Sequence, residues 1–518
     1  MRKSSRGHLR ATRSAPLTSF PDSEPAILET VAQGGVGRFT AINLAGAAVP
    51  LIVALVTVPS YLHTFGEVRY GVWLVAWVLV SYFGLIDLGL GRATANGVAK
   101  LRNAASADRE NLVWTGLVVN AGFGVAIGAA VLVASELVVR MIGLGGNVHT
   151  ELVAALPWLA GAVPLFVVAT VLVGALEGLE RFLIVNVVGA IGSVSIQGLP
   201  LAAGILVAPR LDVLAAATML ALVLNVALAS VACVIHVPLT IRPRFDRSQG
   251  RDLLRFGAWI TVTSLISPLL STLDKVIIGA VSGARAVTHY TVPFNLVTRL
   301  WIFPMALARA VFPRFSRLGG PDARALADES SRALGAIITP IIVLAIVCVE
   351  PFMRAWVGRG FASVATLPAE ILLLGLWVNS LGFIPYTFLQ GQGRPDVPAK
   401  LHLLELIPFV GVLWLGVKIF GVAGAAAAWS ARVLVDTTLL LVLAKNEPQS
   451  QAYLVPGALL VAAAFALAQV APSSITGRAL VSVVLVPAVL VWSWFVAPPS
   501  LRRIALQLRP RLRVASTR

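Results

Sequence analysis

Apolar residues in this chain come in blocks of about 20, separated by short polar stretches that carry most of the charge. A helix of that length crosses the ~30 Å hydrocarbon layer of a bilayer, so the pattern predicts an all-α, polytopic membrane protein. About fourteen blocks are readable, over residues 39–58, 71–88, 112–139, 152–176, 183–207, 212–238, 256–280, 288–308, 333–350, 366–389, 401–417, 422–444, 452–470 and 479–496. With the N-terminus placed in the cytoplasm, Lys and Arg fall about four to one on the cytoplasmic side of these blocks. That asymmetry is the positive-inside bias. It predicts cytoplasmic N- and C-termini.

The blocks also repeat. Residues 66–100 read as a short external loop, Tyr70, an apolar span and a cytoplasmic exit with Gly and Arg; residues 283–317 follow the same plan with Tyr290. An even number of spans separates the two copies, so both halves have the same orientation. This predicts two six-helix lobes related by an axis along the membrane normal, with a central lumen between them. The expected division is a cytoplasmic tail (1–38), a first lobe (39–239), a cytoplasmic linker (240–255), a second lobe (256–446), two extra helices (447–497) and a basic cytoplasmic tail (498–518).

Composition narrows the function classes. Charged residues make up 13% of the chain against 58% hydrophobic, where a soluble domain carries about 25% charged. A net charge of +17 would suit nucleic acid. The basic residues, however, sit between apolar blocks rather than on one face, so no nucleic acid is expected as a partner. The basic loops at 242–255 and 309–332 are expected instead to lie against anionic membrane lipids. Two cysteines and six scattered histidines support neither a disulfide framework nor a metal site. There is no Walker lysine motif, no His-Glu-x-x-His and no nucleophile elbow. No cofactor, no ATP-driven step and no catalytic residue is expected.

Charges within the apolar blocks are the candidate chemistry, because a charge at mid-bilayer is costly and generally faces a wet cavity. Ser264, Ser267, Ser271 and Asp274 share one face of the seventh block. Lys275 lies about 100° round the helix, a position from which it is not expected to pair side-on with Asp274. The eighth block carries a polar stripe of Thr291, Asn295, Thr298 and Arg299. Asp274, Lys275, Ser271, Asn295, Arg299 and Arg432 are the candidate substrate-binding residues. Arg432 and Asp436, four apart, either serve this site or neutralise each other. Asp87, Arg92 and Asp436 are candidate gate or coupling residues, with a bracing role open for Asp87 and a topology role for Arg92. His236, His289 and His402 fall at span ends, where an interfacial role is expected. Pro157, Pro164, Pro293, Pro304, Pro385 and Pro408 each remove a helix hydrogen bond and permit a kink.

Four stretches carry a resemblance. They are the Asp-Leu-Gly-Leu-Gly at 87–91 with its flanks, FGAWITVTSLISPLLSTLDKVIIGAVSGARAVTHY over 256–290, VFPRFSRL over 311–318 and GVAGAAAAWSARVLVD over 421–436. Together, in this order, they resemble the Wzx-type polysaccharide-repeat-unit flippases of the multidrug/oligosaccharidyl-lipid/polysaccharide exporter superfamily. The resemblance covers about residues 39–446. It implies two lobes around a lumen, residence in a bacterial cytoplasmic membrane, a lipid-linked oligosaccharide as substrate and polysaccharide polymerase machinery as a partner. The last two spans depart from the commoner twelve-helix plan. Related peptidoglycan-precursor flippases also have fourteen, which keeps that substrate open, as it does a drug/cation antiporter of the same fold. A membrane glycosyltransferase or polymerase would need a sizeable external loop, and the external loops here are short. An isoprenoid diphosphate head needs a polar route, and Arg suits phosphate because its planar fork donates two parallel hydrogen bonds.

Overall fold

The computed structural model describes residues 36–85, 89–101, 106–142, 146–237, 246–247, 250–251, 273–444, 452–470, 475–503 and 506. Asp87, Ser271 and most of the expected linker and of both tails lie outside them, as does the expected seventh span up to residue 272. The described chain is helical throughout, with no strand among the described residues. Apolar surroundings offer no water to the backbone, so each segment has to satisfy its own N–H and C=O groups, and a helix does so.

In chain order the helices are α1 (Val36–Leu85), α2 (Leu90–Lys100), α3 (Ser106–Ile142), α4 (Gly146–Gly178), α5 (Phe182–Leu206), α6 (Leu211–His236), α7 (Leu273–Val297), α8 (Ile302–Arg317), α9 (Gly320–Val357), α10 (Arg359–Gly391), α11 (Asp396–Leu443), α12 (Leu454–Val470) and α13 (Ile475–Val496). A 3-10 turn, Thr298–Trp301, joins α7 to α8. Among the described residues, ten helical stretches are long and apolar enough to cross a membrane, and α12 is a shorter apolar helix. Large apolar side chains such as Val133, Leu206, Ile407 and Val470 point outward. In water such a surface would be a liability; in lipid it is the solvent-matched face. The chain is a multi-pass membrane protein.

The difference from about fourteen separate spans lies in three places where the expected loop is a single glycine. Helix α1 turns at Gly66 (φ 73°, ψ 166°), α7 at Gly283 (φ 81°, ψ 172°) and α11 at Gly421 (φ 57°, ψ −134°). Only glycine reaches such backbone angles without strain. Gly66 and Gly283 begin the two copies of the sequence repeat, and their nearly equal dihedrals show that the repeat is a repeat of backbone geometry.

Close approach between helices depends on missing side chains. A Cβ on Gly71 of α1 would run into the Ala284 carbonyl and lie 2.7 Å from Thr288 Oγ1 of α7. The two repeat-bearing helices therefore cross in backbone contact. Within α11, a Cβ on Gly416 would meet the Gly424 carbonyl oxygen at 2.8 Å, so the two arms run back along each other from Gly421. The two glycines of the Asp-Leu-Gly-Leu-Gly motif have structural roles. Gly89, with φ 63°, caps the start of α2 in a left-handed conformation. A Cβ on Gly91 would come within 2.9 Å of the Thr170 carbonyl oxygen on α4.

Candidate functional site

A cavity of about 350 Å³ lies where the two halves meet. Helices α1 and α5 form one wall and α7, α9 and the 3-10 turn the other. Of the stripe on the eighth block, Asn295 and Arg299 line this cavity. Thr291 is buried in packing, and Thr298 Oγ1 donates to the Phe294 carbonyl at 2.8 Å. Arg299 sits in the 3-10 turn. Pro304 has no N–H to offer the carbonyl of residue 300, which accounts for the local break in the helix. Arg299 is exposed to the cavity, and among the described residues no carboxylate belongs to the cavity lining.

The first half contributes aromatic and neutral polar groups. Tyr61 stacks on Tyr70 with ring centroids 5.3 Å apart, and Trp73 on Trp77 at 6.0 Å. The Tyr61 hydroxyl donates to the Gln197 carbonyl at 2.8 Å, Thr57 Oγ1 lies 3.4 Å from Gln197 Oε1, and Gln197 Nε2 donates to Ser193 Oγ at 3.2 Å. Across the cavity, Trp356 Nε1 donates to the Leu55 carbonyl at 2.6 Å. These aromatic residues escape a reading based on charge alone, although Tyr70, Trp73 and Trp77 have the spacing of one helix face.

Where α1 and α7 cross, their side chains also meet. Glu67 Oε2 lies 3.2 Å from Arg285 Nε and 3.3 Å from His289 Nε2, and Thr288 Oγ1 donates to the Glu67 carbonyl at 2.7 Å. His289 is thus part of a contact between the halves. Beside it in the first half, Arg69 makes two 2.8 Å hydrogen bonds to the Glu151 carboxylate.

Asp274, Lys275, Arg432 and Asp436 lie in the second half, outside the cavity lining. Asp274 and Lys275 pair with each other, at 3.2 Å from Nζ to Oδ1, which corrects the expectation from helix geometry. Asp274 Oδ1 also accepts the Lys275 backbone N–H at 2.7 Å. This turns the carboxylate toward the next residue, and the four-carbon lysine stem folds back to meet it. Tyr290 donates its hydroxyl to Asp274 Oδ2 at 2.8 Å, and the ammonium lies 4.5 Å from the Phe294 ring centre. Both charges are buried, so Lys275 is part of the protein interior rather than of the cavity wall. Arg432 and Asp436 each have another direct partner. Arg432 Nη1 lies 3.4 Å from Glu405 Oε2, and Asp436 Oδ1 lies 3.6 Å from His402 Nε2. Each pair joins the two arms of α11 on either side of Gly421. Arg92 is exposed on α2.

A second buried ionic group was not evident from the spans. Arg478 of α13 bonds Glu350 of α9 and lies 3.7 Å from Glu370 of α10; Gln469 of α12 donates to Glu370 at 2.5 Å. Arg478, expected in an external loop, is buried because two carboxylates from other helices hold it. The network ties α12 and α13 to the second half. The turn at the end of α10 is structural: Gln392 Nε2 donates to the Phe315 and Leu318 carbonyls at 2.7 and 3.0 Å, capping α8.

Comparison with known proteins places this architecture. A putative O-antigen transporter from Shigella flexneri is 29% identical over 77% of this chain and 95% of its own length. Among solved structures, an inward closed conformation of the lipid II flippase MurJ aligns with a TM-score of 0.70 and 11% identity, covering 88% of this chain and 98% of that one. An inward-facing multidrug resistance MATE family transporter of the MOP superfamily aligns at 0.59 and 16% identity, covering 77% and 97%. At those identities the two structures establish the fold alone. Residues 69–366 match the family described as polysaccharide biosynthesis protein, and the chain belongs to that family.

Proposed function

We propose that this protein is a flippase that moves a lipid-linked oligosaccharide, carried on an isoprenoid diphosphate, between the leaflets of the bacterial cytoplasmic membrane by alternating access of its two halves. The observation that supports this best is the inter-half cavity, whose lining among the described residues joins the Arg299 guanidinium to neutral polar and aromatic groups and includes no carboxylate. Such a lining suits an anionic, hydroxyl-rich head. Among the described residues it offers a cationic drug no carboxylate to pair with. The head passes between the halves while the tail stays in lipid. Arg299 holds the diphosphate and Asn295 bonds beside it. In this reading the termini are cytoplasmic and the Glu67–Arg285–His289 contact closes the external end, so the present conformation opens inward. The second-half cluster around Asp436, His402, Glu405 and Arg432 couples charge to the movement of the α11 arms. Asp87 and Arg92 act at the cytoplasmic edge, and polysaccharide polymerase machinery takes up the product.

The test is Arg299→Ala in a cell whose surface glycan depends on this protein. A charge-paired contact of this kind is worth about 2–5 kcal/mol, so export should fall on the order of a hundredfold. Fully assembled lipid-linked oligosaccharide should collect in the cytoplasmic leaflet while the protein stays abundant. Accumulation of unextended sugar acceptors instead would point to a glycosyltransferase or polymerase.

A further inference from the structure

The cavity wall contributed by α1 and α5 has a chemistry of its own. Trp73 and Trp77 stack with an interplanar angle of 25°, giving a broad aromatic shelf on α1. Between the first arm of α1 and α5, Thr57, Gln197 and Ser193 form a chain of an amide and two hydroxyls. These groups are neutral and can both donate and accept. A lipid tail would need no such chain, and a diphosphate would call for cations. A pyranose ring needs both features: its hydroxyls each donate and accept, and its ring carbons present an apolar face of C–H groups. Large flat side chains cover such a face at little conformational cost. At about 350 Å³, the cavity is near the lower limit of small-ligand sites. It has room for the first sugar of a chain and not for a long one.

We propose that the Trp73–Trp77 shelf and the Thr57–Gln197–Ser193 chain form a sugar-ring subsite, separate from the anion-binding Arg299. This rests on the flippase reading above and adds to it which part of the head each wall recognises. The subsite makes the transporter favour loaded carrier over spent carrier, because only the loaded lipid has a sugar next to its diphosphate.

The experiment measures binding by the purified full-length protein in lipid nanodiscs. The probes are an isoprenoid diphosphate bearing one hexose and the same isoprenoid diphosphate without sugar. The wild-type protein should bind the hexose-bearing probe on the order of tenfold more tightly, the size expected of one aromatic contact with its hydrogen bonds. Trp77→Ala should abolish that preference and leave affinity for the bare probe unchanged. Gln197→Leu, which keeps the bulk and removes the amide, should reduce the preference and guards against a folding defect in the tryptophan variant. Arg299→Ala should weaken both probes by the same factor. Equal wild-type affinity for the two probes would overturn the subsite, as would a Trp77→Ala variant that keeps the preference. An intact Arg299 effect in that case would leave the flippase reading standing.

Discussion

The two copies of the repeat share a backbone and differ in what they present. Around Gly66 and around Gly283 the chain turns with φ and ψ equal to within about ten degrees. Yet the first hairpin gives the cavity Tyr61, Tyr70, Trp73 and Trp77, while the second buries Asp274, Lys275 and Tyr290 before it reaches Asn295 and Arg299. One fold unit, used twice, has been given an aromatic wall in one half and a charged interior in the other. The glycine that permits the turn is what the copies must keep; the side chains on either side of it are free to diverge. A cavity between such halves is chemically asymmetric even though its frame is symmetric.

The largest effect expected from this asymmetry is on the buried charges. Asp274→Asn or Lys275→Met alone strands the opposite charge in a low-dielectric interior, at about 3–5 kcal/mol. Each single variant should give little folded protein by thermal melting in detergent, and the double variant should recover most of it. Single variants as stable as wild type would place these charges in water and move them to the cavity.

A smaller effect tests the symmetric part. Gly66→Ala and Gly283→Ala each force a Cβ into a backbone region used almost only by glycine, at about 1–3 kcal/mol. Because the two turns have the same geometry, the two losses in melting temperature should match. A loss at one position only would mean that the repeat is in sequence and not in structure.

The smallest effect concerns the Glu67–Arg285–His289 contact, which in the proposed reading closes the external end. Glu67→Gln removes the charge facing Arg285, whose side chain is 67% exposed, and His289. Exposed pairs of this kind contribute little to stability, so melting should hardly change. In a Cys348→Ser background, a cysteine at position 295 should instead react somewhat faster with a membrane-impermeant thiol reagent added outside intact cells. Unchanged labelling would remove Glu67 from the closure.

Much of this frame was legible in the apolar pattern. Helical spans, the repeat beginning at Gly66 and Gly283, and the cavity positions of Asn295 and Arg299 follow from hydrophobic blocks and helical spacing. Three things did not follow. The blocks over 401–417 and 422–444 read as separate spans, whereas a glycine turn at Gly421 joins them in one bent helix. The cost of a mid-bilayer charge points Lys275 to the lumen, and a helical wheel sets it apart from Asp274; neither says where a long flexible stem delivers its ammonium. The Glu350–Arg478–Glu370 group joins residues more than a hundred positions apart at span ends, where charges read as loop positions. A carboxylate at the edge of an apolar block is the available signal, and its partner is set only by tertiary packing.

The most direct measurement of the central claim is transport by the purified protein in liposomes. A fluorescent lipid-linked oligosaccharide is incorporated, and its movement between leaflets is followed by quenching with an impermeant reagent. Wild-type protein should move the probe. Arg299→Ala should not, while Arg299→Lys should restore part of the rate, because an ammonium keeps the charge but lacks the planar fork. An Arg299→Ala protein that moves the probe as fast as wild type would contradict the account and take the substrate path out of this cavity.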